Sequence, residues 1–338
     1  MSIQLSGNGA GILMPKKLIL PVFTVFFISL FASCKKEIAP SQSTDALSNS
    51  LTAQESSMAI TTSSTNFGAL ISGSTTINDE ITICQKLGVK YVRYAIILKD
   101  FTGVDKGYEK WVNAGYKVLL NLNYDNVTSN TGKRSPVPFP TDMVQYRSLL
   151  TKVLDKYQPE IAVIENEPCT DQFHSGPIED YITELKTAVD VCNKRGIAVA
   201  DGGLHVDYVE LVMSGWASKT ANSLETQKLI AAYKTMNLTY VNTHVASPFN
   251  SNQNVYPVGT LENDADYLRT QTGKPVICNE YNQNSTSTTL MTGTVGGFKA
   301  GNYKYVITRS GSGTDGGASL NQGTSLTSLG KAYRDAIQ

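Results

Sequence analysis

Short apolar runs alternate with helix-spaced apolar stripes along residues 66–338, and the alternation repeats through eight strand-helix units. Asn66-Phe-Gly-Ala-Leu-Ile-Ser72 is the first predicted strand; Ile77, Ile81, Cys84 and Leu87 then recur at helical spacing, and Gly88 supplies a stop. Val89–Ile97, Tyr116–Asn123 and Glu160–Ile164 read as the next three strands. A short helix near 105–114 and a longer one, with Met143, Tyr146, Leu149, Leu150, Val153, Leu154 and Tyr157 on its face, separate them. Pro177 suits a first helical turn, Ile178, Tyr181, Ile182, Leu185, Val189 and Cys192 form the stripe behind it, and Gly196 ends it before Ile197–Ala200. A longer excursion through Trp216 leads to a helix near 222–235 and the strand Leu238–His244. Helices near 261–271, 287–299 and 325–336 alternate with Pro275–Cys278 and Tyr303–Thr308. The pattern predicts an α/β fold. The count, with polar residues placed just past the strands, favours a closed (β/α)₈ TIM barrel over a doubly wound sheet.

Upstream, Leu18–Phe31 is an apolar run that follows Lys16-Lys17 and stops at Ala32-Ser33-Cys34. A basic stub, a short apolar core and small residues form a secretory signal over 1–34, with Met14 a more ordinary start than Met1. Phe31-Ala-Ser-Cys34 resembles the lipobox of bacterial lipoproteins, with Phe31 where Leu or Val is usual. The resemblance implies a lipid anchor on Cys34 and a bacterial envelope location, periplasmic or outward-facing at the outer membrane. Residues 35–65, rich in Ser, Thr, Ala and Gln, read as a flexible tether. The remaining residues 66–338 suit a single catalytic barrel domain.

Lys and Arg total 29 against 29 Asp and Glu, without a concentrated basic patch, which argues against a nucleic-acid partner. Cys84, Cys169, Cys192 and Cys278 lack the close pairing of a structural zinc site and read as buried free thiols. No cofactor or metal is expected. Nothing in the pattern identifies a protein partner or an oligomeric state.

Two glutamates stand just past apolar strands, in Ile161-Ala-Val-Ile-Glu-Asn-Glu-Pro168 and Pro275-Val-Ile-Cys-Asn-Glu-Tyr281. Barrel enzymes place their reactive groups at the C-terminal strand ends, and a carboxylate pair across one cleft is what glycosidic cleavage requires. A solitary surface Glu needs no explanation; two at apolar strand ends do.

With these motifs the chain resembles the clan A retaining glycoside hydrolase superfamily. The resemblance implies a (β/α)₈ barrel with Glu167 as acid/base after strand four, Glu280 as nucleophile after strand seven, and Asn166 on a sugar 2-hydroxyl. It implies Arg93, in Tyr91-Val-Arg-Tyr94, as the partner that keeps Glu280 ionised; an ordinary rim salt bridge is the alternative. It implies a retaining O-glycoside hydrolase acting on a β-linked oligo- or polysaccharide, against a catalytically inactive carbohydrate-binding lipoprotein. Burial and Glu280 should raise the Glu167 pKa.

His244 after strand six is a candidate to orient Glu280 or touch sugar, and His205 after strand five is a weaker one; either can equally be a satisfied rim histidine. Asp201 is a hydroxyl ligand or a cap. Asn123 and Tyr124 are candidates for the negative subsites, and Asp171 and His174 for the positive side. Tyr281 contacts substrate or packs beside its glutamate. Many clan members carry an aromatic platform after strand eight, where this chain has Arg309. Arg309 then offers a polar contact, or Trp216 reaches in from the strand-five excursion if it is not core.

Overall fold

The computed structural model describes residues 64–72, 76–127, 135–247, 258–311 and 317–338. The predicted signal segment, Cys34 and the tether up to residue 63 lie outside the described residues. The described chain runs β1 Asn66–Ile71, α1 Ile77–Leu87, β2 Tyr91–Ile97, α2 Lys106–Asn113, β3 Lys117–Asn123, α3 Met143–Lys156, β4 Ile161–Ile164 and α4 Ile178–Asn193. Strand β5 comes in two pieces, Val199–Asp201 and Leu204–His205. It is followed by α5 Val206–Met213, α6 Ala221–Tyr233, β6 Val241–Ser247, α7 Val258–Thr272, β7 Val276–Gln283, α8 Thr288–Ala300, β8 Tyr305–Ser310 and α9 Ser328–Ile337.

All of these strands pair in parallel, in the spatial order β5, β4, β3, β2, β1, β8, β7, β6 and then the second piece of β5. The sheet therefore begins and ends on two halves of one strand, which is the connectivity of a TIM-barrel-like (β/α)₈ fold. The seam is thin. The first half of β5 meets β6 through an Ala200–Tyr240 bridge, with Thr239 and Tyr240 N–H donating to Val199 O at 3.0 and 3.2 Å. The second half adds Leu204–Thr243 and His205–His244.

Capping residues account for the crisp helix starts. Thr76, Asp105, Asp142, Ser287 and Thr327 each accept a first-turn N–H, and Gly88 closes α1 at φ 73°. One large apolar core lies between strands and helices, while Leu119, Ile161, Val163, Ala200, Ile277, Tyr305 and Ile307 form a smaller cluster of their own. The period of two continues that inner face toward the strand C-termini as Asn121 after Leu119 and Asn279 after Ile277. These two asparagines are buried.

The structure departs from the sequence reading at several places, the split of β5 among them. The excursion after β5 carries helix α5, whose Val206-Asp-Tyr-Val-Glu-Leu-Val-Met run is rich in β-branched residues; burial of Val206, Val209 and Val212 on one face overrides that propensity. Strand β7 runs past Cys278 to Gln283, with a register shift between Cys278 and Glu280 against β6. Strand β8 includes Arg309 rather than stopping short of it. Cys84, Cys169, Cys192 and Cys278 are free and buried, and burial pushes the thiols of Cys169, Cys192 and Cys278 up to about 12. No helix among the described residues is long and apolar enough to cross a membrane.

Candidate active site

The end of β4 is bent by two residues in the left-handed region, Glu165 at φ 64° and Glu167 at φ 48°. Such a backbone is uncommon for side chains without a local tie, and several ties hold it here. Leu122 O accepts from Glu165 N–H at 3.2 Å, Asn121 Nδ2 donates to Glu165 O at 3.1 Å, and Gly202 O accepts from Glu167 N–H at 2.9 Å. The break in β5 makes the last contact possible. A Cβ on Gly202 would lie 2.7 Å from Ile164 O, and one on Gly203, at φ 101°, would lie 2.4 Å from the His244 ring. Gly203→Ala is therefore expected to move His244 as well as to strain the backbone by about 1–3 kcal/mol. Near-native far-UV circular dichroism with at least tenfold lower activity would be the matching result; unchanged kinetics would contradict it.

Glu167 and Glu280 face each other across a cavity of about 810 Å³, which Arg93, Asn123, Asn166, Asp171, His205, His244 and Arg309 also line. Ligand-type atoms of Glu167, His244 and Glu280 all lie within 4.8 Å of one another. Arg93 pairs with Glu280 through Nη1, reaches Asn166 Oδ1 through Nη2 and Asn121 Oδ1 through Nε at 2.9 Å. Burial works to raise the Glu280 pKa, but the Arg93 charge, helped by His244, holds it below the ordinary carboxylate value.

Glu167 lies between two histidines. His244 Nδ1 is 2.8 Å from Oε1, and His205 Nε2 is 3.2 Å from Oε2, at ion-pair distance but without hydrogen-bond alignment. Burial pushes the Glu167 carboxyl up, yet its interactions with His205 and His244 hold it well below the ordinary range. This reverses the sequence expectation of a raised value, which left both histidines out. His205 moves the other way: the cost of burial is outweighed by Glu167, and its pKa rises.

Several other candidates lie elsewhere. Tyr281 is fully buried, donates to Gln283 Oε1 at 3.0 Å and meets Phe298 edge-on, so it packs in the core. Asp201 is buried beneath the site, accepting from Asn242 N–H at 2.7 Å and Gly203 N–H at 3.1 Å. His174 stacks on Phe139 with Nε2 2.9 Å from Asn166 O, supporting the β4 loop from behind, and burial lowers its pKa to about 4. Tyr124 turns its hydroxyl to Gln145 at 3.3 Å, and Lys99 sits over its ring. Trp216 is 57 % exposed with Lys219 over its ring and lines neither described cavity. Arg309 lines the cavity, and its Nε donates to Ser72 Oγ at 3.3 Å.

Sequence reasoning noted Asn279 only as the neighbour of Glu280 and missed Asn121 and Asn242; Asn121 and Asn279 join Arg93 to His244, and Asn242 braces Asn279. The available signal was an Asn set directly beside the apolar residues of each strand, in Leu119-Leu-Asn121, Val241-Asn242 and Ile277-Cys-Asn279. It also missed the buried pair Glu165 and Glu184. Tyr124 N–H donates to Glu165 Oε1 at 2.6 Å, and burial raises the Glu165 carboxyl to about 7. Burial, then the Glu165 charge, pushes Glu184 well above the usual range, and neither of its oxygens has a well-formed hydrogen bond.

A carboxyl raised by folding is a source of stability at low pH that is lost as pH climbs from the unfolded value through the folded one. Glu184→Gln is thus expected to be nearly neutral at pH 4 and increasingly stabilising above it, by up to about 1.4 kcal/mol per pH unit. Urea denaturation at pH 4 and pH 6 checks this, and a pH-independent offset would contradict it.

Glu167, His244 and Glu280 are also a donor set that a divalent ion can use. At Glu280, however, the Arg93 guanidinium already supplies the positive charge.

No family profile and no curated protein matches the sequence. Solved structures do. A hyperthermophilic β-glucosidase from Pyrococcus furiosus superposes with TM-score 0.53 at 11% identity, over 77% of this chain and 83% of its own. An exo-β-1,4-mannosidase from an Opitutaceae bacterium gives TM-score 0.55 at 8% identity, over 81% of this chain and 59% of its own. A family 39 glycoside hydrolase from Bacteroides cellulosilyticus gives TM-score 0.55 at 13% identity, over 82% and 64%. At these identities the likeness is one of fold alone, a (β/α) barrel.

Proposed function

We propose that the protein is a retaining glycoside hydrolase acting on a β-linked oligo- or polysaccharide. The carrying observation is the carboxylate pair. One oxygen of each glutamate lies within 4.8 Å of one from the other, which supports the separation of about 5–5.5 Å of a retaining pair over the wider spacing of an inverting one. Glu280, ionised beside Arg93, attacks the anomeric carbon as the glycosidic C–O bond breaks, and Glu167 gives its proton to the departing oxygen. Water then attacks the same carbon, Glu167 takes a proton back, and the bond to Glu280 breaks to release the sugar. Asn166 offers its amide N–H groups to a sugar hydroxyl, its carbonyl oxygen being held by Arg93.

A chain of sugars suits the cavity better than one terminal unit. Thr170, Asp171 and Asn222 line both the main cavity and a second one of about 330 Å³, so binding surface continues past Glu167 on the Asp171 side. Turnover of a panel of β-linked oligosaccharides, with product size and anomeric configuration read together, tests the reading. Retained configuration with internal cleavage supports it. Inverted products or monosaccharide release alone defeat the corresponding part. Binding without turnover favours a carbohydrate-binding protein.

We also infer a lipid anchor, from Phe31-Ala-Ser-Cys34 following the apolar run. Cys34→Ser is expected to release the chain from bacterial membranes with its barrel intact; unchanged membrane association would remove this inference.

A further inference from the structure

The amides around the site can be oriented from groups that only donate. Arg93 Nε has only a proton to give, so the Asn121 atom 2.9 Å away is its oxygen. That oxygen also receives Asn279 Nδ2 at 3.0 Å, which turns Asn279 Oδ1 the other way. From the opposite side, Asn279 N–H fixes Asn242 Oδ1 at 2.9 Å. Asn242 Nδ2 must then donate to Asn279 Oδ1, at 2.8 Å, and to Asp201 O, at 3.2 Å. Asn279 Oδ1 also faces His244 Nε2 at 2.6 Å. A carbonyl oxygen has no proton to offer, so His244 Nε2 carries the hydrogen.

His244 Nδ1 lies 2.8 Å from Glu167 Oε1. A neutral imidazole with its proton on Nε2 facing an ionised carboxylate would set two lone pairs together at hydrogen-bond distance. One proton must occupy that contact, on Nδ1 or on Oε1.

We propose that Asn279 is a positioning residue that sets the tautomer of His244, so that the general acid is a Glu167–His244 pair holding one proton between Oε1 and Nδ1. This rests on the reading of Glu167 as acid/base. Once Glu167 passes the proton to a leaving oxygen, His244 is left neutral, with its lone pair turned to the carboxylate. Deprotonation of the attacking water then refills the contact. The Asn121–Asn279 bridge makes Arg93, the partner of the nucleophile, one end of the same chain. The charged and titratable groups around the pair are His205 on β5, Glu280 on β7, Arg93 on β2 and, acting through Glu280, Arg309 on β8. His174 and Glu165 stand behind the β4 loop, and Asp201 lies below Asn242.

The chain has three histidines, so full-length protein labelled with ¹⁵N-histidine gives a readable spectrum, with His244 assigned by His244→Gln. The expected wild-type result is a protonated His244 Nε2 throughout the folded pH range. In Asn279→Ala the Nε2 proton preference should disappear, and Asn279→Asp, which keeps the acceptor, should restore it. An unprotonated His244 Nε2 in the wild type, or an Asn279→Ala spectrum matching it, overturns the proposal.

Kinetics supply the second arm. Asn279→Ala should lose about tenfold or more on substrates with a sugar leaving group, in the range that proton transfer contributes. Its basic limb should fall to lower pH, while the first-step release of dinitrophenolate from a dinitrophenyl glycoside, which needs no acid, stays near wild type. Equal losses on both substrates with an unmoved limb overturn the proposal. A wild-type protein that turns over no glycoside instead removes the hydrolase reading, and the spectrum still decides where the proton lies.

Discussion

Glu280→Ala is expected to reduce turnover on the order of 10⁴-fold or more, since removing a nucleophile that acts as one unit with its partners costs nearly the whole advantage of the site. Glu167→Ala should behave differently. A poor leaving group should lose about 10² to 10⁴-fold, the span of general acid catalysis, while an activated aryl glycoside still forms the Glu280 ester and stalls there. Added azide separates the two roles. In Glu167→Ala it should intercept the ester and give a glycosyl azide of retained configuration. In Glu280→Ala it should enter directly and give the inverted one. The same azide product from both variants, or a Glu280→Ala enzyme that keeps its rate, would show that the carboxylates do not divide the work in this way.

Arg93→Leu carries the second large effect because three contacts end on one guanidinium. Glu280 loses its counter-charge while remaining largely buried, and Asn121 and Asn166 each lose a donor. Breaking a buried ion pair from one side costs about 3–5 kcal/mol, more than most single substitutions. In the wild type the depressed Glu280 pKa contributes stability above the unfolded carboxylate value, lost as pH falls through the folded one. Removing the arginine lets burial raise that pKa instead. The deficit should therefore be largest at neutral pH and shrink as acid protonates Glu280. Activity should fall sharply, with its acidic limb displaced upward, and Arg93→Lys should recover part of the charge effect without the forked contacts. Equal destabilisation at pH 4 and pH 8, with an unmoved acidic limb, would mean that Arg93 acts through packing alone.

The barrel was legible because its strands are covered on both faces and read as continuous apolar runs, while Gly88, Pro177 and Gly196 mark helix ends. Glu167 and Glu280 stood out for a related reason, as charges placed where an apolar run stops. What stayed hidden depends on distances across the barrel. Asn121, Asn242 and Asn279 look like ordinary polar interruptions until the parallel register brings β3, β6 and β7 to one level. Tyr281 and Asp201 were drawn into the candidate site by being next to, or level with, reactive residues. The alternation of a strand sends Tyr281 into the core, and Asp201 is held below the cavity by backbone N–H groups. Helix α5 was invisible because its composition suits a strand, and the buried valines that make it a helix are a tertiary fact.

The interrupted fifth strand has a thermodynamic consequence. Where a barrel is stitched by few hydrogen bonds, opening fluctuations are least costly, so amides at Val199–Asp201 and Thr239–Asn242 should exchange with solvent sooner than those between β2 and β3, paired along seven residues. The seam divides the cavity wall. Glu167 and the first half of β5 stand on one side, while His244 and Glu280 stand on the other. An occupant touching both sides closes the gap from within, and its binding energy adds to the cohesion of the weakest joint in the sheet. Protection at those amides on titration with an oligosaccharide would then report occupancy directly, without any bond being cleaved.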